Sequence, residues 1–429
     1  MEFLNEFHPV AAADVPIRGQ LAKGGYPYAQ TVGGGGSLEG YRFNPCNMGI
    51  GYRVLVRPAL RVFDSEKSHS RALRALRIAS SNPLFRATLS LLYKPRKHLP
   101  ITRFGQTYQH PFGIAAGLDK KAEALRGWES LGLAFIEIGG ITQHEQDGNP
   151  KPRMFRASNS MALVNRMGFN NAGSEKTATF LKTHITNIGK PSVPLWANLG
   201  KSKITPLEES AADYATTMTR LWKYVDVFVI NVSSPNTPNL RELQHDSALE
   251  SIINSCRGVN QTMSEKHGTA QKPLLVKIAP DLTDDQLHAV VKTARLAGCD
   301  GIVATNTTVE RSTPSSSSDA KVFAETGGLS GAPLLNRSTE MIHKIYQITD
   351  GDWPIVGVGG IMSAQDAWEK IGAGACLLQA YSGFVFEGAG LTKSVVHGLH
   401  KKLRESPYST FEEAIGFSHT ESRAIQGNE

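Results

Sequence analysis

Cysteine is scarce. Cys46, Cys256, Cys299 and Cys376 are the only four in 429 residues; they lie far apart, and none stands in a C-x-x-C pair. This spacing argues against a disulfide framework, a structural zinc and an iron–sulfur cluster, and it suits reduced thiols in a cytosolic setting. Long apolar runs are missing as well, with nothing near the roughly 20 residues of a membrane-spanning helix. No basic segment followed by an apolar core opens the chain, so a secretory signal is not expected. The absence of any G-x-x-x-x-G-K-[ST] run makes an ordinary P-loop an unlikely reading. Acidic residues are outnumbered, giving a net charge of +7. The shortage is local: Arg53, Arg57, Arg61, Lys67, Arg71, Arg74, Arg77, Arg86, Lys94, Arg96 and Lys97 face only Asp64 and Glu66. Such a run either contacts an anionic surface or forms a solvated face.

What is present is ordinary globular composition, 40% hydrophobic and 20% charged, enough for one large domain with attachments. Residues 1–45 read as a poorly ordered extension, with glycine at each of 33–36 and neither helix nor strand period. From 52 to 92 the pattern predicts short amphipathic helices punctuated by Pro58 and Pro83, with Asp64 or Ser65 able to cap the second. Leu55, Leu60, Phe63, Leu73, Leu76, Leu84, Phe85, Leu89 and Leu92 supply their apolar faces, and 95–99 looks like a linker. Short apolar strands then recur at 112–116, 134–138, 195–199, 227–232, 274–278, 301–304, 355–358 and 376–380, each followed by a helical stretch. Eight such units predict parallel βα repeats closed into a (β/α)8 TIM barrel behind a small N-terminal helical domain. In that fold chemistry belongs just after each strand, at the C-terminal face.

The residues at those positions are chemical ones. The fourth strand runs into Asn231-Val-Ser-Ser-Pro-Asn-Thr237, which holds carboxamides and hydroxyls and nothing that titrates near pH 7. This is a poor nucleophile set and a good one for gripping a small polar molecule. Other strand ends carry Ala115, Ala116, Gly117 and Lys120; Gly140; Asn198; Lys277; Thr305, Asn306 and Thr307; Gly359 and Gly360; and Tyr381 and Ser382. A long loop after the second strand holds Asn165, Arg166, Met167, Gly168 and Phe169, and a further glycine run includes Ser330 and Gly331. Glycines on the seventh and eighth strand ends mark the usual phosphate position of such barrels, so the ligand is expected to be phosphorylated. Lys277 lies in an otherwise apolar strand. It either forms a Schiff base or balances a permanent negative charge.

Together with Gly148-Asn-Pro-Lys-Pro-Arg-Met-Phe-Arg156, Asn165-Arg-Met-Gly-Phe-Asn-Asn171, Thr305-Asn-Thr-Thr308, Gly327-Gly-Leu-Ser-Gly331 and Gly357-Val-Gly-Gly-Ile361, the Asn231 run closely resembles the quinone-dependent (class 2) dihydroorotate dehydrogenases. The resemblance covers about 52–403. It implies an FMN enzyme of pyrimidine synthesis that oxidises (S)-dihydroorotate to orotate. Ala115, Ala116, Gly117, Gly140, Asn198, Asn231, Lys277 and Thr305 would contact the flavin, while Ser330, Gly331, Gly359, Gly360, Tyr381 and Ser382 would hold its phosphate end. Lys120, Asn165, Asn231, Asn236, Asn306 and Thr307, with the Arg166, Met167, Gly168 and Phe169 run, would hold the substrate. Ser234 would be the base, with Thr237 and Phe169 bordering a water relay. Soluble relatives carry Cys where Ser234 stands and lack the helical piece.

The resemblance therefore implies a helical, membrane-associating domain over 46–98, a flavin barrel over 99–404 and a tail over 405–429. The helical domain would cover a tunnel for ubiquinone or menaquinone, lined by His69, Arg156 and Tyr381. The expected location is peripheral, on the cytoplasmic face of the inner membrane, or on the mitochondrial inner membrane in a eukaryote. Neither nucleic acid nor metal is expected. Three departures from the family pattern stand out. Gly140 replaces a Ser or Thr that touches flavin, Asn239 replaces a Gly, and Ser382 replaces a Thr.

Overall fold

The computed structural model describes Tyr52, Arg57 and residues 64–419 except Pro238 and His245. The extension at 1–45, Cys46, Leu55, Pro58, Leu60 and Phe63 lie outside the described residues.

A helix at Ser65–Ser81 begins where Asp64 accepts a hydrogen bond from the Lys67 N–H at 2.9 Å. A second, Pro83–Tyr93, begins with Asn82 accepting from Leu84 at 2.8 Å, and its Pro83 occupies a first-turn position that needs no N–H donor. Leu76 of the first helix packs onto Gly127, where an added Cβ would lie 2.4 Å from its Cγ; the glycine lets the helix approach the barrel. The outer face stays apolar. Ile78, Leu84, Phe85, Leu91 and Leu92 are all exposed, with Leu84 at 74%.

Eight parallel strands then close into a barrel. They are β3 (Phe112–Ile114), β4 (Ile136–Ile141), β7 (Leu195–Leu199), β8 (Val227–Asn231), β9 (Leu274–Ile278), β10 (Gly301–Ala304), β12 (Ile355–Val358) and β13 (Leu377–Ala380), with β13 pairing back onto β3. Every position in all eight is buried, as expected of strands covered by side chains inside and helices outside. Below the barrel, β1 (Ile101–Arg103) and β2 (Gln106–Tyr108) form a hairpin whose turn residues Phe104 and Gly105 have φ of 53° and 64°. Phe104, Tyr108, Phe135 and Trp196 stack edge and face there and plug the bottom, so the opening is at the C-terminal end.

Strand order follows the sequence reading, with several strand ends shifted. β3 stops at Ile114, and β4 continues to Ile141 because Gly139 pairs with Asn198 and, past a bulge, Ile141 pairs with Leu199. One sheet was not anticipated. β5 (Met154–Ala157), β6 (Ala162–Asn165) and β11 (Gly328–Gly331) form an antiparallel layer above the barrel mouth, so Asn165 ends a strand and does not sit within a long loop. Beyond the last long helix, Leu391–Glu405, Phe411 and Ala414 are buried and the Gly416 N–H bonds the Ile371 carbonyl at 2.9 Å.

Candidate active site

The barrel mouth holds a cavity lined by Ala115, Ala116, Gly117, Lys120, Gly140, Asn165, Met167, Gly168, Phe169, Asn198, Asn231, Ser234, Asn236, Lys277, Thr305, Asn306, Thr307, Ser330, Gly331, Gly359, Gly360, Tyr381 and Ser382. These residues come from all eight barrel strand ends and from β6 and β11, so closure of the barrel is what brings them together. Arg166 is the exception. Its guanidinium turns outward to Glu325 at 2.6 Å and lies over the Phe155 ring. Thr237 also lies off the lining; it is buried, and its hydroxyl has no partner among the described residues.

A chain of amides organises the floor. Buried Glu137 accepts from Asn198 Nδ2 at 2.7 Å, and Asn198 Oδ1 accepts from Asn231 Nδ2 at 2.8 Å. Asn231 Oδ1 accepts from the Ser233 hydroxyl at 3.0 Å and from Asn306 Nδ2 at 3.3 Å. Each amide has its oxygen and nitrogen assigned by its neighbour, so the rings of donors and acceptors facing the cavity are fixed. Lys277 is buried beside this chain. Desolvation lowers its pKa, and Glu137 pulls the other way. Glu137 and Gln379, which donates to it, are site residues that the sequence reading passed over. The signal was available: an acid inside an apolar strand demands a partner as much as Lys277 does.

The loop after β8 is held from outside. Arg241 donates to the Ser233 carbonyl at 3.2 Å, to Asp281 at 2.7 Å and to the Thr307 carbonyl at 3.1 Å, tying the Ser234 loop to the loop after β10. Ser234 is 7% exposed, and its Oγ accepts the Asn236 N–H at 3.3 Å. Asn236 donates to Asn165 at 3.2 Å and its carbonyl accepts from Asn149 at 3.1 Å. Asn239 has φ of 56°, a conformation that Asn tolerates in place of glycine. Lys120 donates to Asn170 at 2.7 Å; burial, with Arg153 nearby, brings its pKa down to about 7.

At the far side, Gly331, Gly359 and Gly360 have φ of 103°, 123° and 74°. A Cβ at Gly359 or Gly360 would strike Ser338 or Leu335 at 2.6 Å, so bare backbone is required behind the cavity. The Ser330 and Ser382 hydroxyls lie 2.9 Å apart beside these glycines.

A second cavity lies under the first helix. It is mostly apolar, with Ala72, Leu73, Leu76, Leu118, Met154, Leu163, Phe384 and Phe386 in its walls and with His69, Arg57 and Arg156 among its polar members. Burial, reinforced by Lys120, lowers the His69 pKa to about 4, which keeps the ring neutral. His69 stacks parallel to Tyr381, with centroids 6.4 Å apart. Among the described residues, Tyr381 is the one common to both linings.

The dihydroorotate dehydrogenase family model matches residues 98–403, well over half of the chain. The chain belongs to the dihydroorotate dehydrogenase family. It is 44% identical to the dihydroorotate dehydrogenase (quinone) of Gloeobacter violaceus over 362 residues, covering 84% of this chain and 98% of that protein. It is 43% identical to the dihydroorotate dehydrogenase (quinone) of Streptomyces avermitilis, over 85% of this chain and 98% of that one. Among solved structures, the DHODH of Eimeria tenella in complex with ferulenol superposes with a TM-score of 0.73 at 33% identity, over 83% of this chain and 96% of that chain. A dihydroorotate dehydrogenase implies a flavin, and the residues here fit one. An ordered amide floor with a buried cation suits a flat polar heterocycle, and a glycine-and-serine cradle suits an anionic tail.

Proposed function

We propose that this chain oxidises (S)-dihydroorotate to orotate at the barrel mouth, with FMN as its flavin, and passes the electrons to ubiquinone or menaquinone in the apolar cavity. The observation that carries the reading is the shared wall: Tyr381 borders a polar cavity built for a flat anion and an apolar one under the helices.

When bound, the flavin would supply a hydride acceptor able to relay two electrons to a quinone. The protein's own residues do the rest. Lys120 meets the substrate carboxylate, and Asn165, Asn231, Asn236, Asn306 and Thr307 grip the ring. Met167, Gly168 and Phe169 close over it, and Phe169 fits between Gly140 and Gly200. Lys277 offsets negative charge gathering at the floor. Ser234 takes the C5 proton. A serine hydroxyl is a weak base and must release its own proton as it accepts another. The Thr237 hydroxyl, which has no partner among the described residues, and the Phe169 ring are the proposed border of the outlet for that proton.

The helices Ser65–Ser81 and Pro83–Tyr93 serve as a membrane-docking and quinone-admitting element. Their exposed Leu84, Phe85, Leu91 and Leu92 face outward with Arg74 and Arg77 exposed nearby, the pairing that an anionic lipid surface accepts. None of the described helices is long and apolar enough to cross a membrane. The proposed location is peripheral, on the cytoplasmic face of the inner membrane or, in a eukaryote, on the mitochondrial inner membrane.

The test is direct. The purified chain should be yellow, release FMN on denaturation, and reduce ubiquinone and menaquinone analogues when given dihydroorotate. A flavin-free preparation, or turnover with fumarate or NAD and not with quinones, overturns the reading.

A further inference from the structure

Lys370 is completely buried, on a helix (Ala364–Gly372) outside the site described above. Its ammonium donates to Ser338 Oγ at 2.6 Å, to Thr339 Oγ1 at 3.0 Å and, more weakly, to the Leu335 carbonyl at 3.5 Å. All three partners are neutral. Among the described residues no carboxylate lies within ion-pair distance of it. The nearest acid on its own helix, Asp366, accepts instead from the Met362 and Ser363 N–H groups, each at 2.8 Å. A lysine buried without an ion pair is costly and uncommon.

Its placement makes the cost larger. Leu335, Ser338 and Thr339 form the first turn of the helix Leu335–Ile348, the end at which unpaired N–H groups already gather positive charge. A cation belongs at the other end of a helix. Two sources of positive potential therefore converge on one point, and that point backs onto the glycine turn after β12. Ser338 Oγ, which takes the Lys370 hydrogen bond, shares its own proton between the Leu335 carbonyl at 3.0 Å and the Gly359 carbonyl at 3.2 Å, and Leu335 packs behind Gly360. The cavity lies on the other face of these two glycines. Burial lowers the Lys370 pKa to about 7 against the pull of Asp366 and Glu369, so a dianion across the turn would hold its proton in place.

We propose that Lys370 is a positioning residue for a phosphate group bound at the Gly359 and Gly360 turn: held by Ser338, it fixes the turn and projects positive charge through it. This rests on the reading of that turn as the phosphate end of the flavin site. Riboflavin, which has the same ring system and no phosphate, is the natural control.

The experiment titrates the full-length chain, freed of flavin, with FMN and with riboflavin, following quenching of flavin fluorescence. Lys370→Met should weaken FMN by about tenfold or more while moving riboflavin by less than about twofold, because only the phosphate feels the lost charge. Ser338→Ala keeps the charge and removes the link to Gly359; it should give a smaller loss, again confined to FMN. It also decides the matter should Lys370→Met fail to fold. Equal weakening of both flavins, or no weakening of either, overturns the proposal. An unaltered chain that binds the two flavins equally would sink the phosphate-site reading beneath it. An unaltered chain that prefers FMN, with variants that keep the preference, sinks the role of Lys370 alone.

Discussion

Gly140→Ser would supply the hydroxyl that the family resemblance leads one to expect there, and the structure expects it to do harm. A Cβ at Gly140 would lie 2.6 Å from Phe169 Cε1 and 2.7 Å from Cδ1. The ring would have to retreat by about 0.8 Å to regain ordinary contact. It has little room to do so, because its opposite edge rests on Gly200, where an added Cβ would lie 2.9 Å from Phe169 Cε2. The Phe169 backbone is itself held at φ of 51°, between Gly168 and Asn170, whose side chain binds Lys120. Overpacking of this kind costs about 1–3 kcal/mol. Urea unfolding, with and without added flavin, should show Gly140→Ser destabilised by that amount in both conditions, and adding Phe169→Leu should recover most of it. A Gly140→Ser chain as stable as its parent, binding flavin more tightly, would refute the reasoning. It would mean that the ring moves freely and that the missing hydroxyl is a plain loss.

Ser234→Ala should keep its flavin and lose about 10²–10⁴-fold in the rate of flavin bleaching by dihydroorotate at pH 7, followed by stopped flow; a near-normal rate places the base elsewhere. Lys120 carries its charge below its pKa of about 7 and loses it above, so orotate affinity by calorimetry should fall as pH rises past 7, by up to about tenfold per pH unit. Lys120→Met should be weak and flat with pH, and a pH-independent parent would count against the carboxylate contact. Leu84 and Phe85 are 74% and 59% exposed. Burying such a side chain contributes about 1.5–3 kcal/mol, so the double change to Glu should cut binding to phosphatidylglycerol vesicles by about 100-fold or more while leaving flavin bleaching by dihydroorotate intact. Unchanged vesicle binding would remove these helices from the membrane.

The barrel was legible because its strands are buried on both faces. Each therefore reads as a short apolar run, and chemistry at the strand ends followed from the fold. The layer formed by β5, β6 and β11 was not legible. Gly328 to Gly331 has the composition of a turn, and its partner strand lies more than 150 residues away, at Ala162–Asn165. Local pattern cannot report a pairing that only the closed barrel creates. Arg166 sits inside a run whose other members line the cavity, yet a strand end followed by a turn sends neighbouring side chains in different directions, and Glu325 was there to take it. Lys277 was noticed and Glu137 was not, although the two face each other across one interior. Arg241 and Lys370 act from behind the lining, through carbonyls and hydroxyls that sequence does not pair.

Tyr381 stands between two chambers that share no other wall residue among those described. On the proposed function, in which dihydroorotate fills one and quinone the other, reductant and oxidant never compete for the same space. Plots of reciprocal rate against reciprocal dihydroorotate, drawn at several quinone concentrations, should run parallel. A greasy inhibitor lodged under the helices should stop turnover while leaving the other chamber free to fill and to react once.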